Sequence, residues 1–128
     1  VEELVGDFDR QNGKVLLCVA GKSAHLAGVV AAKTLKPVIG VPVYNPETAG
    51  MDALLSMSQM PKGVPVACMG FGSHGFQNAA WLALQIMSLS SPSLAKMLKL
   101  KREEHTVQVK EDDKNHQRSF NIEQTTTT

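Results

Sequence analysis

Several things this chain lacks bound what it can be. No stretch approaches the ~20 consecutive apolar residues of a membrane-spanning helix. The first residues, Val1 to Arg10, are acidic and lack the basic start of a secretory signal. Charge of one sign is absent too: 13 Lys and Arg stand against 12 Asp and Glu, so no global field argues for nucleic acid. Cysteine is scarce, with Cys18 and Cys68 each inside an apolar run, which reads as small core residues of a reduced, cytoplasmic protein rather than a disulfide scaffold. There is no internal repeat beyond an alternation of strands and helices. A soluble domain of ordinary size remains.

What is present is a strand–helix alternation. Val1–Asp9 reads as a helix with Leu4, Val5 and Phe8 on one face, and Gln11-Asn12-Gly13 as a turn. The run Lys14–Val19 is uniformly apolar after its first residue, which predicts a parallel strand covered on both faces. His25–Lys33 reads as a helix burying Leu26, Val29 and Val30. Val38–Val43 is a second strand. A helix capped by Asp52 and carrying Leu54, Leu55 and Met57 follows, then a strand over Val64–Met69. Phe76–Leu89 is the longest central helix, expected to bury Ala80, Leu84 and Met87. Strand and helix alternate three times, which predicts an α/β fold with a right-handed parallel sheet.

Ser90-Ser91-Pro92-Ser93 breaks the chain and opens a last helix with Leu94, Met97, Leu98 and Val107 on its apolar side. Its lysines and glutamates, Lys96 to Glu104, read as a solvated face rather than a phosphate site. From Glu111 the chain is polar and ends in four threonines, a tail expected to be disordered or bound to a neighbour. The division is therefore an α/β domain over residues 1–110 and a polar tail over 111–128.

The most informative stretch is Ala20-Gly21-Lys22-Ser23-Ala24-His25-Leu26-Ala27-Gly28. A strand runs into small residues and then into a helix that opens at a histidine. Peptide N–H groups at such a start attract anions, and His25 adds a side chain able to give or take a proton near neutral pH. Gly21-Lys22-Ser23 imitates the end of the phosphate loop G-x-x-x-x-G-K-[ST], but the first glycine of that motif would fall at Leu16, inside the strand. The first turn of the cradle is missing.

The loops after the three strands, Gly21–Leu26, Tyr44–Gly50 and Gly70–Gly75, should emerge on one edge of the sheet, the usual ligand edge. A lone glycine-rich turn needs no function, but three converging beside His25 predict a small-molecule site. His74 stands in the third loop, yet no nearby carboxylate or cysteine completes a metal ligand set with His25. Ser56 and Ser58 lack the glycine-framed elbow of a hydrolase nucleophile. Met57, Met60 and Met69 read as adaptable packing. His105 and His116, in the charged terminal region, read as solvated.

Five segments together resemble the PurE family of purine biosynthesis: Ala24-His25-Leu26, Val30-Ala31-Ala32, Pro37-Val38-Ile39-Gly40-Val41-Pro42-Val43, Gln59 to Ala67, and Asn78 to Ile86. Their order and spacing also fit, over Gly13 to Arg102. The resemblance implies a flavodoxin-like, three-layer α/β sandwich with an extended C-terminal helix. It also implies a homo-octamer whose sites draw on neighbouring subunits, and chemistry without metal or organic cofactor. Ala24-His25-Leu26 resembles the mutase branch, which moves a carboxylate from nitrogen to carbon of an aminoimidazole ribonucleotide. A second branch carboxylates aminoimidazole ribonucleotide with free carbon dioxide and usually lacks this tripeptide. On the resemblance His25 is the catalytic residue, and Gly21, Ser23, Ala24 and Leu26 line the substrate. The partner implied is a small ribonucleotide, with no nucleic acid and no membrane.

The chain also departs from the family. The Gly-Ser-x-Ser-Asp loop and the Ser-Ala-His-Arg motif, which supply most ribose and phosphate contacts and the usual proton-transfer histidine, do not occur in it. Ala27 stands where proline is common, and Lys22 where a small residue is usual. A remnant or fragment that keeps only the fold and the oligomer surface is the alternative reading. A chain starting at Val1 is expected to expose a sheet edge and to aggregate or assemble with partner chains.

Overall fold

The structure is a computed structural model that describes the backbone of residues 1–125 and the side chains of residues 1–114 and 117. The chain divides into two units, Val1–Ser90 and the segment from Ser91 onward. The first unit is built on three parallel strands in the order β1-β2-β3: β1 (Leu16–Ala20), β2 (Val38–Pro42) and β3 (Ala67–Cys68). The register pairs Leu16 with Val38 and Ala20 with Pro42, and Gly40 with Cys68. Every residue of β2 is buried, as a central strand covered on both faces requires. Pro42 ends that strand beyond the last residue pair with β3, so its missing N–H breaks no ladder bond.

Side chains alternate across the sheet and build two half-cores. On one face Leu16, Cys18 and Val38 meet α1 (Glu2–Arg10) through Val5, α2 (His25–Ala31) through Ala27 and Val30, and α3 (Met51–Ser58) through Ala53 and Met57. On the other, Ile39 and Val41 meet Ala79 and Ala83 of α4 (Gly72–Ser88). Helix, sheet and helix make the three layers of a flavodoxin-like α/β fold. Gly40 thins the sheet where Met57 crosses it: a Cβ there would sit 3.0 Å from both Met57 Sδ and Val66 Cγ1. Helix α1 is tied to the turn after α2 by the Glu2–Lys33 ion pair and by Thr34 Oγ1 donating to the Asp9 carboxylate at 3.3 Å.

Several expected faces are shifted. Helix α2 buries Ala27 and Val30, while Leu26 and Val29 are exposed, because the small residues of this helix face the sheet. Helix α4 starts four residues before Phe76 and buries Gly75, Ala79 and Ala83; Leu84 and Met87 lie on its open side, and Ala80 is exposed. The reason is again close approach: alanine and glycine let the helix axis near β2, which pushes the larger residues aside. Helix α3 is capped by Gly50 in the left-handed conformation (φ 75°) rather than by Asp52. Strand β3 is only two residues long, shorter than the apolar run around it. Strand β1 is not covered on both faces: Leu17 is 45% and Val19 39% exposed, because α4 is centred on β2.

The second unit is a single helix, α5 (Pro92–Thr125), opened by Ser91 Oγ accepting from the Leu94 N–H at 3.4 Å. It continues through Glu111, where the sequence suggested loss of order, since nothing between Lys101 and Lys114 breaks a helix and local pairs such as Lys101–Glu104 and Gln108–Asp112 support it. The side chain of His116 and the last three threonines lie outside the described residues.

Candidate active site

Because the sheet is parallel, the three strand-to-helix loops leave from one edge, and specific contacts bring them together. A Cβ on Gly21, in the first loop, would lie 3.3 Å from Cβ of Val43 in the second. The Val43 N–H donates to the Ala20 carbonyl at 2.9 Å, and the Met69 N–H to the Gly40 carbonyl at 2.8 Å, so each loop is anchored on its neighbour strand. Tyr44 of the second loop meets Phe71 of the third edge-to-face, with ring centroids 6.3 Å apart. Phe71 also fills the space beside Gly50, where a Cβ would fall 2.6 Å from its ring. Gly50 therefore serves both a positive φ and an aromatic contact.

The first loop is tight. Ala24 N–H donates to the Gly21 carbonyl at 3.1 Å, closing a turn over Gly21–Ala24. Within it Lys22 (φ 53°) and Ala24 (φ 32°) both adopt left-handed backbone without being glycine. Such residues cost of order 1–3 kcal/mol each and cluster where backbone is held for function. Ala24 is 4% exposed and locks the turn to the core, while Lys22, Ser23, His25 and Leu26 stay at the surface. The sequence-predicted site residues Gly21, Ser23, Ala24, His25 and Leu26 thus form one contiguous corner, with His25 as the first residue of α2. His74 is an exposed residue of the first turn of α4, in the third loop's neighbourhood.

The second loop holds groups that the sequence reading passed over. Asn45 Oδ1 accepts from the Glu47 N–H at 3.1 Å, and the Asn45 carbonyl from the Gly50 N–H at 3.0 Å. Thr48 Oγ1 donates to Asp52 Oδ1 at 2.7 Å, and the Ala53 N–H reaches the same oxygen at 2.8 Å. The Thr48 hydroxyl, with help from that N–H and from Asn45, holds the Asp52 carboxyl below its ordinary pKa. The signal was present: Asn-Pro followed by Thr and then Asp four residues on is the composition of a side-chain-bonded turn. The result is a loop fixed at both ends beside the His25 corner.

The two cysteines lie in one row across the sheet, Cys18 and Cys68 each level with Gly40 from opposite sides. Two strand spacings of ~4.8 Å separate them, beyond the ~7 Å reach of a disulfide between Cα atoms. Both are free, and burial pushes both thiol pKa values up. Among the described residues no three His, Cys, Asp or Glu side chains gather in a way that could hold a metal ion, and no helix is long and apolar enough to cross a membrane.

Comparison with known proteins gives this corner a context. Over 95 residues the chain is 52% identical to the N5-carboxyaminoimidazole ribonucleotide mutase of Bacillus subtilis, covering 73% of this chain and 59% of the relative. The protein of the same name from Pyrococcus abyssi is 48% identical over 91 residues, 71% of this chain and 51% of that one. That of Escherichia coli K12 is 44% identical over 103 residues, 80% and 61%. The chain therefore spans between about half and three-fifths of the length of these curated relatives. The family model described as AIR carboxylase matches residues 1–108, more than four-fifths of the sequence. With the fold, the order of motifs and that match in agreement, the chain belongs to the AIR carboxylase family, the PurE family of the sequence reading.

Proposed function

We propose that this chain carries part of a mutase that moves a carboxylate from nitrogen to carbon of an aminoimidazole ribonucleotide. The observation that carries the reading is the name shared by the relatives, each an N5-carboxyaminoimidazole ribonucleotide mutase, at 44–52% identity over 91–103 residues. The chemistry asks for a pocket that keeps released carbon dioxide from water and for one group that moves a proton on and off the ring. His25 is assigned the proton transfer. Gly21, Ser23, Ala24 and Leu26 are assigned the substrate wall, where a small-residue turn admits a planar ring. No metal or organic cofactor is assigned. Residues 1–110 are assigned to the catalytic fold and 111–128 to a polar appendage, in a cytoplasmic homo-octamer.

Carboxyl-13C-labelled 5-(carboxyamino)imidazole ribonucleotide, followed by NMR in unlabelled bicarbonate, tests this. Label arriving intact on ring carbon supports the mutase, and dilution by bicarbonate points to a carboxylase. Turnover is expected to collapse in His25→Asn, and an unchanged rate would remove His25 from the mechanism. A second reading is favoured by the absent Gly-Ser-x-Ser-Asp and Ser-Ala-His-Arg motifs: residues 1–128 alone keep the fold and corner without turnover. Substrate binding without label transfer supports it.

A further inference from the structure

We propose that Lys22 is the cation that holds an oxyanion of the ribonucleotide, its carboxylate or its phosphate, at the His25 corner. The identity of the ligand rests on the mutase reading above; the cation rests on where the turn after β1 puts it. Lys22 lies between Gly21, which packs against Val43 at the head of the second loop, and Ala24, which is buried in the core. The bond from the Ala24 N–H to the Gly21 carbonyl closes that turn and holds Lys22 at φ 53°. A glycine would adopt this backbone without cost, whereas a lysine adopts it against its own preference. The turn thus presents a long cationic side chain, exposed to solvent, where the backbone favours no side chain at all. Strain kept at an exposed residue beside a candidate site points to use at a ligand rather than to packing.

Charge at this edge of the sheet is the second argument. Of the residues in the three converging loops, Gly21–Leu26, Tyr44–Gly50 and Gly70–Gly75, Lys22 is the one lysine or arginine. It makes no ion pair among the described residues, and neither does Glu47, the one acid of those loops. The carboxylate at the start of α3 does not compete for it, because Asp52 already accepts from Thr48 Oγ1 and the Ala53 N–H. The wall assigned to the substrate, Gly21, Ser23, Ala24 and Leu26, is uncharged, and His25 is given to proton transfer. A ribonucleotide bearing a carboxylate needs more than that: its phosphate alone carries about −1.5 to −2 near neutral pH. Charge-assisted bonds from an ammonium to such groups are roughly twice as strong as neutral ones, so Lys22 outweighs the neighbouring Ser23 hydroxyl as the anchor.

Calorimetric binding of three ligands to the full chain tests this: 4-carboxy-5-aminoimidazole ribonucleotide, the same compound without its phosphate, and 5-aminoimidazole ribonucleotide, which lacks the carboxylate. Lys22→Met should weaken binding of the first by about tenfold to a hundredfold, and Lys22→Arg should restore most of it. A carboxylate contact keeps the loss in the compound without phosphate and abolishes it in the compound without carboxylate. A phosphate contact does the reverse, and either pattern supports the proposal. Raising salt should weaken the parent more than Lys22→Met. Lys22→Gly separates binding from folding: it relieves the left-handed lysine and should melt at or above the parent temperature while binding as poorly as Lys22→Met. Lys36→Met, before β2 and so on the opposite edge of the sheet, should bind like the parent. Affinity unchanged in Lys22→Met, or lost equally in Lys22→Arg, overturns the proposal. So does a loss equal across all three ligands, or a parent chain that binds none of them. Label transfer reports on the mutase reading separately. Lys22-dependent binding without transfer counts against that reading alone, and transfer with an unchanged KM in Lys22→Met counts against this proposal alone.

Discussion

Gly75 lies in the first turn of α4, and the carbonyl of Gly70 presses against the side of it where a side chain would be. A Cβ at Gly75 would overlap the Gly70 oxygen and sit 2.6 Å from its carbonyl carbon. The obstacle is backbone, held from behind by the Met69 N–H bond to Gly40, so it cannot swing aside as a methionine tip would. Gly75→Ala gains ~1 kcal/mol of helix propensity. Overpacking of this kind costs ~1–3 kcal/mol, and with an unyielding carbonyl the upper end applies, leaving a net loss of about 1–2 kcal/mol. For a unit of this size 1 kcal/mol moves Tm by ~4–8 °C, so calorimetry should show a fall of about 5–15 °C. Gly70→Ala is the control, because nothing lies within 4 Å of a Cβ there and its φ is not positive. It should melt at or slightly above the parent temperature. A Gly75→Ala protein as stable as the parent would refute the close approach of α4 to its own loop.

Met57→Ala removes a fully buried side chain that spans α3 and Gly40, and should cost ~2–5 kcal/mol by denaturant titration; a loss under 1 kcal/mol would mean the site collapses or is not packed. Asp52 has a depressed pKa in the folded state, so its contribution is present above the unfolded pKa and is lost as pH falls through the folded one. Thr48→Val removes the leading cause. The Asp52 carboxyl should then titrate at higher pH by NMR, and acid unfolding should begin at higher pH; an unmoved titration would show that the hydroxyl does not matter. Burial keeps both thiols protonated at neutral pH, so alkylation of native protein should be slow and Cys18 slower than the half-buried Cys68, with both fast in urea. Equal native rates would contradict the burial order.

The strand–helix order was legible because uniform apolar runs alternate with amphipathic ones, and the family was legible in the order and spacing of its segments. What the sequence concealed was which side of α2 and α4 faces inward, although Val5, Val30 and Met57 are buried as expected. Hydrophobicity ranks Leu26, Val29, Leu84 and Met87 above alanine, yet Ala27, Ala79 and Ala83 are the residues at the sheet, since closeness of packing there outweighs side-chain area. The exposure of Leu17 and Val19 was equally hidden, because an apolar run does not say whether its second face finds a cover. At the candidate site, the tight turn after β1 and the start of α2 at His25 were readable from spacing. The left-handed Lys22 and Ala24 were not, because neither residue type asks for that conformation and only the closure of the turn imposes it. The Tyr44–Phe71 contact links positions 27 apart in sequence that only the parallel crossover unites.

The division at Ser90–Ser91 separates the chain optically as well as structurally. Its one tryptophan, Trp81, and its one tyrosine, Tyr44, both belong to the first unit. Tryptophan and tyrosine emission therefore originates in the first unit, whereas circular dichroism at the helical band sums α5 with the four helices before it. Two probes on one sample thus weight the two units differently. A melt followed by both at once would therefore show whether the sheet-bearing unit and the terminal helix unfold together or apart.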